Sequence, residues 1–216
     1  MRYRVRGLEI RSENAAKPAS SAGKWMLDRI RELSPSAIGL DIGCGKLRYT
    51  VPLAKRISEV TAVDSAEQLR RKQKLFGKRC SIREHASTCL PNVIVRSLDE
   101  REWSRRRYQI ILCSNVLSAI PSMKTRRKLV STAYKCLARR GQFILTTQYR
   151  NSHFDSWKTS PSATRYLDGY MVKGRRGTTF YGLIGAPALR RLCETVGFRI
   201  VAAGHNKELA FVLATR

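Results

Sequence analysis

Two acids and two glycines are the first residues in this chain whose types and spacing point to shared chemistry. Asp41 lies in the apolar run of "IGLDIGCGKLRYT", residues 38–50, and Gly43 and Gly45 follow it on either side of Cys44. A second acid, Asp64, ends "EVTAVD" and is followed by Ser65. A strand that runs into a Gly-x-Gly turn and then a helix brings bare backbone up to a nucleotide. A dinucleotide site would carry a third glycine where Arg48 stands. It would also have no use for Asp41, whose charge opposes a bound pyrophosphate. The turn suits a nucleotide-like ligand with a cationic end and no phosphate.

Regular elements must hold those residues in place. Trp25, Met26, Leu27, Ile30 and Leu33 recur at a helical period, and Ser34-Pro35 ends that helix. Strands are expected over 37–42, 59–64, 92–100 and 108–113. A helix is expected over 47–57, and another opens at Ser65, with Glu67 in its first turn. Residues 123–141 read as a helix closed by Gly141, 142–150 as a strand, and 186–198 as a helix closed by Gly197. Residues 199–215 read as two strands joined by a turn. Residues 77–92 carry no assignable pattern.

Strand and helix in alternation specify an α/β fold: a doubly wound, mostly parallel seven-stranded sheet with a C-terminal antiparallel strand pair. At 216 residues this is a single domain, with 1–20 as a loose basic arm. The six cysteines stand at neither metal-ligand nor disulfide spacing, which predicts no metal site and thiols kept reduced in the cytoplasm. No apolar run approaches the roughly 18 residues of a bilayer span, so a membrane is not expected as a partner.

"LDIGCGK", "VTAVDSAEQL", "YQIILCSNVLSAIP" and "CLARRGQFILTTQY" follow one another across residues 37–150. Together they resemble the class I S-adenosylmethionine-dependent methyltransferases, whose Rossmann-like sheet ends in a similar helix and strand pair. The resemblance implies S-adenosylmethionine as cofactor. It implies that Asp41 orients the methionine end while Gly43, Cys44 and Gly45 form the close turn. Asp64, with Ser65 beside it, would accept both ribose hydroxyls, since the two oxygens of a carboxylate fit a vicinal diol. Asp99 would accept from the adenine amino group, and Ser114 and Asn115 would face the reactive methyl. Asn115 and His153, just beyond the strand ending at Gln148-Tyr149, are the candidate catalytic residues.

Two features depart from the family pattern. Leu47 stands where many members carry a third glycine. Residues 114–117 read Ser-Asn-Val-Leu rather than Asn/Asp-Pro-Pro-Tyr, which argues against N6-adenine and N4-cytosine chemistry. The lack of a Pro-Cys pair argues against attack at C5 of cytosine.

Lys and Arg number 42 against 16 acids, a formal charge of +26, in short clusters such as "RRKQK", "KTRRK" and "KGRR". Such self-repulsion calls for a polyanionic partner. The connection over 149–185 is long and interleaves seven aromatics with basic residues, which suits a substrate-binding insertion that stacks bases. The expectation is methyl transfer to nucleic acid, RNA ahead of DNA. The alternatives are a small-molecule or protein methyltransferase with a basic surface, and a catalytically silent cofactor-binding module that docks on nucleic acid. A protein partner is not identifiable from the sequence.

Overall fold

The computed structural model describes residues 2–149, 152–207 and 209–216, without the side chains of Ala19, Ser152 and His153. The chain opens with β1 (Arg2–Val5), β2 (Leu8–Arg11) and α1 (Lys24–Arg31). There follow β3 (Ile38–Ile42), α2 (Thr50–Ala54), β4 (Glu59–Asp64), α3 (Ala66–Arg70), β5 (Gln73–Leu75), β6 (Lys78–Cys80) and α4 (Ile82–Cys89). Next come β7 (Val93–Ser97), α5 (Glu102–Arg105), β8 (Tyr108–Ser114), α6 (Met123–Cys136) and β9 (Leu137–Gln148). The last part holds α7 (Ser152–Trp157), β10 (Ala163–Tyr166), β11 (Gly169–Gly174), β12 (Gly177–Gly182), α8 (Ala186–Val196), β13 (Arg199–Asn206) and β14 (Leu209–Thr215).

Seven strands form one sheet in the order β13-β14-β9-β8-β3-β4-β7. The ladders between β7, β4, β3, β8 and β9 are parallel, and β14 runs antiparallel to both of its neighbours. This is the expected doubly wound α/β sheet with its antiparallel end. The central strands are apolar on both faces because both faces are covered. Leu40, Ile111 and Phe143 meet Val130 of α6 and Leu189 of α8 on one side. On the other, Val60, Ile110 and Ile144 meet Met26 and Ile30 of α1 and Leu53 of α2. Each of these buried apolar side chains contributes about 1.5–3 kcal/mol.

Four expectations need correction. The helix from Ser65 stops at Arg70, and residues 73–80 turn back as a hairpin. Its turn, Phe76-Gly77, has both φ angles positive (45° and 87°), a pairing whose twist matches that of the strands it joins. The unassigned stretch contains α4, opened by a reciprocal capping box between Ser81 and Glu84. Gly141 closes no helix: α6 ends at Cys136 and the glycine lies within β9. A Cβ there would come within 3.0 Å of the Gln109 carbonyl oxygen of β8, so close strand contact excludes a side chain.

The N-terminal stretch is not a loose arm. Arg6 and Gly7, both at positive φ, turn β1 back on β2. Strand β2 then pairs in parallel with β12 through Ile10 and Thr178. The result is a second sheet, β1-β2-β12-β11-β10, which joins the first residues of the chain to the insertion after β9. Val5, Ile10, Met171 and Phe180 form its own small core. Arg126 of α6, 1% exposed, fastens this sheet to the main domain. Its Nη2 donates to Asp168 Oδ1 at 2.9 Å, its Nη1 to Asp168 Oδ2 at 2.5 Å, and its Nε to the Ile120 carbonyl at 2.8 Å. No helix among the described residues is long and apolar enough to cross a membrane.

Candidate active site

The chain leaves β3 toward β4 on one side and returns through β8 on the other, so a crevice opens above the C-terminal ends of these strands. That crevice is a cleft of about 1160 Å³, its open mouth included. Asp41, Gly43, Cys44, Gly45, Asp64, Ser114 and Asn115 all line it, as the sequence predicts.

The glycine turn is bolted to the neighbouring strand. The N–H groups of Gly43 and Cys44 both donate to the Val63 carbonyl, at 2.7 and 3.1 Å. The Gly45 N–H donates to Asp64 Oδ2 at 2.8 Å. Gly43 sits at φ +72°, and a Cβ on it would lie 2.3 Å from Val116 Cγ2, so conformation and space both demand glycine. Leu47, in place of a third glycine, also has positive φ, +61°, yet is fully buried with Cys44, Ala62, Leu69 and Ile82. Burial worth about 1.5–3 kcal/mol offsets the roughly 1–2 kcal/mol cost of a left-handed leucine.

The two carboxylates differ in their partners. Asp41, 3% exposed, accepts from Thr50 Oγ1 at 2.6 Å. Burial, with the nearby Asp64 charge, pushes its carboxyl up to about 6, against the opposing pull of Thr50 and Arg48. Asp64 is also raised by burial, and the N–H groups of Gly45 and Ser65 act the other way. Ser65 does not line the cleft. Its N–H donates to Asp64 Oδ1 at 2.7 Å, and its Oγ caps α3 by accepting from Gln68 N–H. It acts as a positioning residue. The Cys44 thiol is buried and held well above its ordinary range, which leaves it in the protonated, non-nucleophilic form.

On the opposite wall, Ser114 Oγ accepts from Thr146 Oγ1 at 2.9 Å. Asn115 stands at φ +61°, its N–H donating to the Thr146 carbonyl at 2.8 Å, and its Oδ1 is buried with no hydrogen-bond partner. Asp99 is exposed and outside the cleft wall; the neighbouring Leu98 lines the cleft instead. The side chain of His153 lies outside the described residues. No histidine lines the cleft among those that are described.

The N-terminal segment also supplies Glu13, Ala16 and Lys17 to the cleft, and α3 supplies Gln68. Glu13 is 7% exposed, and Arg71 Nη2 donates to its carbonyl at 2.9 Å. Gln68 Nε2 donates to the Gly45 carbonyl, leaving a buried Oε1 without a partner. Sequence reasoning missed these residues because they matter only once residues 12–17 fold back over the turn. The available signal was the Arg6-Gly7 pair between two short strand-like runs, which places Ser12 at the end of a hairpin.

Residues 18–203 match the methyltransferase domain family. This chain is a member of it. It is 33% identical over 212 residues to the uncharacterized protein YmfD of Escherichia coli, spanning 98% of this chain and 95% of YmfD. Among solved structures, a DhpI–SAM–HEP complex is similar at a TM-score of 0.65 with 16% identity, over 91% of this chain and 86% of that one. The Burkholderia thailandensis 1,6-didemethyltoxoflavin-N1-methyltransferase, with 1,6-didemethyltoxoflavin and S-adenosylhomocysteine bound, is similar at 0.62 with 14% identity, over 91% and 78%.

The methyltransferase cofactor is S-adenosylmethionine, and the cleft's donor set fits it. Asp64, anchored by two backbone N–H groups, has lone pairs left for a ribose diol. Asp41 sets a carboxylate where a cationic methionine end can lie. The partnerless Asn115 Oδ1 and Gln68 Oε1 are acceptors that a bound ligand can satisfy.

Proposed function

We propose that this methyltransferase acts on nucleic acid, RNA ahead of DNA, in the cytoplasm. The observation that carries the reading is the placement of charge beside the cleft. The five-stranded sheet exposes Arg2, Arg4, Arg6, Arg165, Lys173, Arg175 and Arg176. Of its two acids, Asp168 is bound to Arg126 and Glu9 to Arg11 and Arg2, and Arg2 also meets Glu13 and Glu67; the other six cations leave a cationic surface. Tyr3, Tyr181 and Gly182 of the same sheet line the cleft, so a polyanion held on that surface lies next to the donor site.

The insertion's aromatics support the reading less than their number suggests. Tyr170 and Phe180 are buried, and Trp157 packs against both Phe154 and Tyr181. Charge, more than stacking, is what this face offers.

When bound, S-adenosylmethionine supplies an electrophilic methyl group. The chain's part would be to hold the acceptor atom in line with that methyl, in a cleft whose open mouth lets the proton of an N–H or O–H acceptor pass to solvent. Asp64 and the glycine turn fix the nucleoside end, Asp41 the amino-acid end, and Asn115 offers an acceptor oxygen beside the reacting atoms. A second reading, a small-molecule acceptor, draws on the toxoflavin-precursor methyltransferase among the structural relatives.

Transfer of labelled methyl to separate pools of RNA, DNA, protein and metabolites tests the two. Label in RNA, with binding that weakens steeply as salt rises, is the expected result. Label in metabolites alone replaces the first reading with the second. Intact cofactor binding with no label in any pool points to the silent module.

A further inference from the structure

A second cavity adjoins the donor cleft and shares five wall residues with it: Lys17, Arg48, Tyr49, Asn115 and Gln148. It lies between the start of α1 and the β13–β14 turn, with Trp25 and Asn206 on its far walls, and spans about 1240 Å³, the open solvent at its mouth included. The glycine turn and Asp64 take no part in it. It is therefore a distinct, solvent-open chamber that shares a wall with the donor cleft along Lys17, Arg48, Tyr49, Asn115 and Gln148.

Its chemistry is specific. Trp25 is half-buried and rests on Phe211, ring centroids 4.6 Å apart, which fixes it as an aromatic wall. The Arg48 guanidinium lies 4.5 Å from the centre of the Tyr49 ring, adding a second flat surface. Two amides contribute to the wall. Asn115 brings a buried acceptor oxygen with no partner, held at a strained φ of +61°. Gln148 Oε1 accepts from Lys17 Nζ at 2.6 Å, which leaves the Gln148 NH₂ as a donor with no partner among the described residues. Among the described wall residues the one acid, Asp28, is occupied by Lys24 and Arg31, each at 2.7 Å.

We propose that this chamber is the acceptor site and takes a single nucleobase flipped out of an RNA strand. Trp25 and the Arg48–Tyr49 pair flank the ring, while Asn115 and Gln148 read a donor–acceptor edge. The proposal rests on the nucleic-acid reading. It also separates two tasks: the five-stranded sheet holds phosphates, and the chamber beneath α1 chooses the base.

The test uses the full chain saturated with S-adenosylhomocysteine and irradiated with single-stranded RNA containing 4-thiouridine. Adducts are then mapped by peptide mass spectrometry. Adducts around Trp25, Tyr49 and Asn206 are the expected result. Adducts confined to β1–β2 and β10–β12 overturn the chamber while leaving RNA as partner. A chain that neither binds RNA nor forms adducts overturns both readings.

Kinetics give a second check that a purely structural role would not reproduce. Trp25→Ala and the exposed Asn206→Ala should raise the KM for RNA, the former about tenfold. Cofactor affinity should hold, since neither residue lines the donor cleft. Trp25→Phe keeps the packing on Phe211 and should restore most of the loss. Gln148→Leu should relax the choice among bases. Unchanged KM in both alanine variants, with base choice intact in Gln148→Leu, overturns the proposal.

Discussion

The wall of the cleft that carries Asp41 and Asp64 and the wall that carries Tyr3 and Tyr181 are assembled in different ways. The first comes from adjacent central strands and one turn, tied by main-chain hydrogen bonds between residues no more than about two dozen positions apart. The second joins the first eleven residues to a hairpin more than 150 positions later, through a short parallel pairing at Ile10 and Thr178. A local wall is fixed by the same core that fixes the sheet. A remote wall depends on a few long-range contacts, and loosening one of them should free it without disturbing the other.

Arg126 is the contact to break, and it carries the largest expected effect. Asp168→Asn leaves a fully buried guanidinium without its counter-charge, and breaking such a pair costs about 3–5 kcal/mol. Because Asp168 is itself a third exposed, the loss should fall at the low end of that range. Hydrogen exchange should rise in β10–β12 and β1–β2 while β3, β4 and β8 stay protected, with cofactor affinity by calorimetry falling less than in Asp64→Ala, since only residues 12–17 of the cleft follow β2. Uniform loss of protection in both sheets would show that the walls unfold as one unit.

The reciprocal change is Asp64→Ala. It removes the proposed acceptor for the ribose and also the anchors of Gly45 and Ser65. Charge-assisted hydrogen bonds are worth about 1.5–3 kcal/mol each, so cofactor affinity should fall by about a hundredfold or more. Salt-dependent RNA binding should survive, because its cations sit on the other wall. If RNA binding fell in parallel, the independence of the walls would be lost.

Legibility in the sequence follows the same division. The seven-stranded sheet, its order of helices and strands, and most of the donor-site residues were readable because a strand, a Gly-x-Gly turn and an acid form a local pattern. The remote wall was not. Residues 2–11 carry only a weak strand signal, four residues on either side of Arg6-Gly7, since one face of β1–β2 points to solvent and carries arginine. Asp99 was misplaced for a related reason: β7 ends at Ser97, and the next side chain toward the cleft is Leu98, a one-residue shift that reverses facing in a strand-like segment. Gly141 looked like a helix cap because sequence alone does not distinguish a glycine needed for its φ from one needed for close approach.

Protons offer a finer probe of the local wall. The Asp41 carboxyl titrates at about 6, above the ordinary carboxylate value, so its ionisation opposes folding. In the cofactor-free protein its contribution to stability is complete at acid pH and lost as pH rises through about 6, so the melting temperature should be higher at the acid side of that point than at neutrality. Binding a cationic ligand favours the ionised form. Cofactor affinity should therefore fall on acidification, by up to about tenfold per pH unit below the midpoint. Asp41→Asn should abolish most of both slopes. Stability and affinity that moved in the same direction with pH would place the titrating group elsewhere.

Single cations on the remote wall should have the smallest effects, and their smallness is informative. Arg175 and Lys173 are exposed, and neither is paired with an acid among the described residues. If phosphates are held by the field of many such charges, Arg175→Ala should weaken RNA binding only a few-fold near physiological salt and lower the slope of log K against log salt by about 1. The loss should be the same for every RNA sequence, because a phosphate contact carries no base information. Lys173→Ala should match it, and the double variant should add the two changes in slope. A much larger loss from Arg175 alone, or one that depended on base identity, would assign that residue to the target nucleotide and move part of the choice of substrate out of the chamber beneath α1.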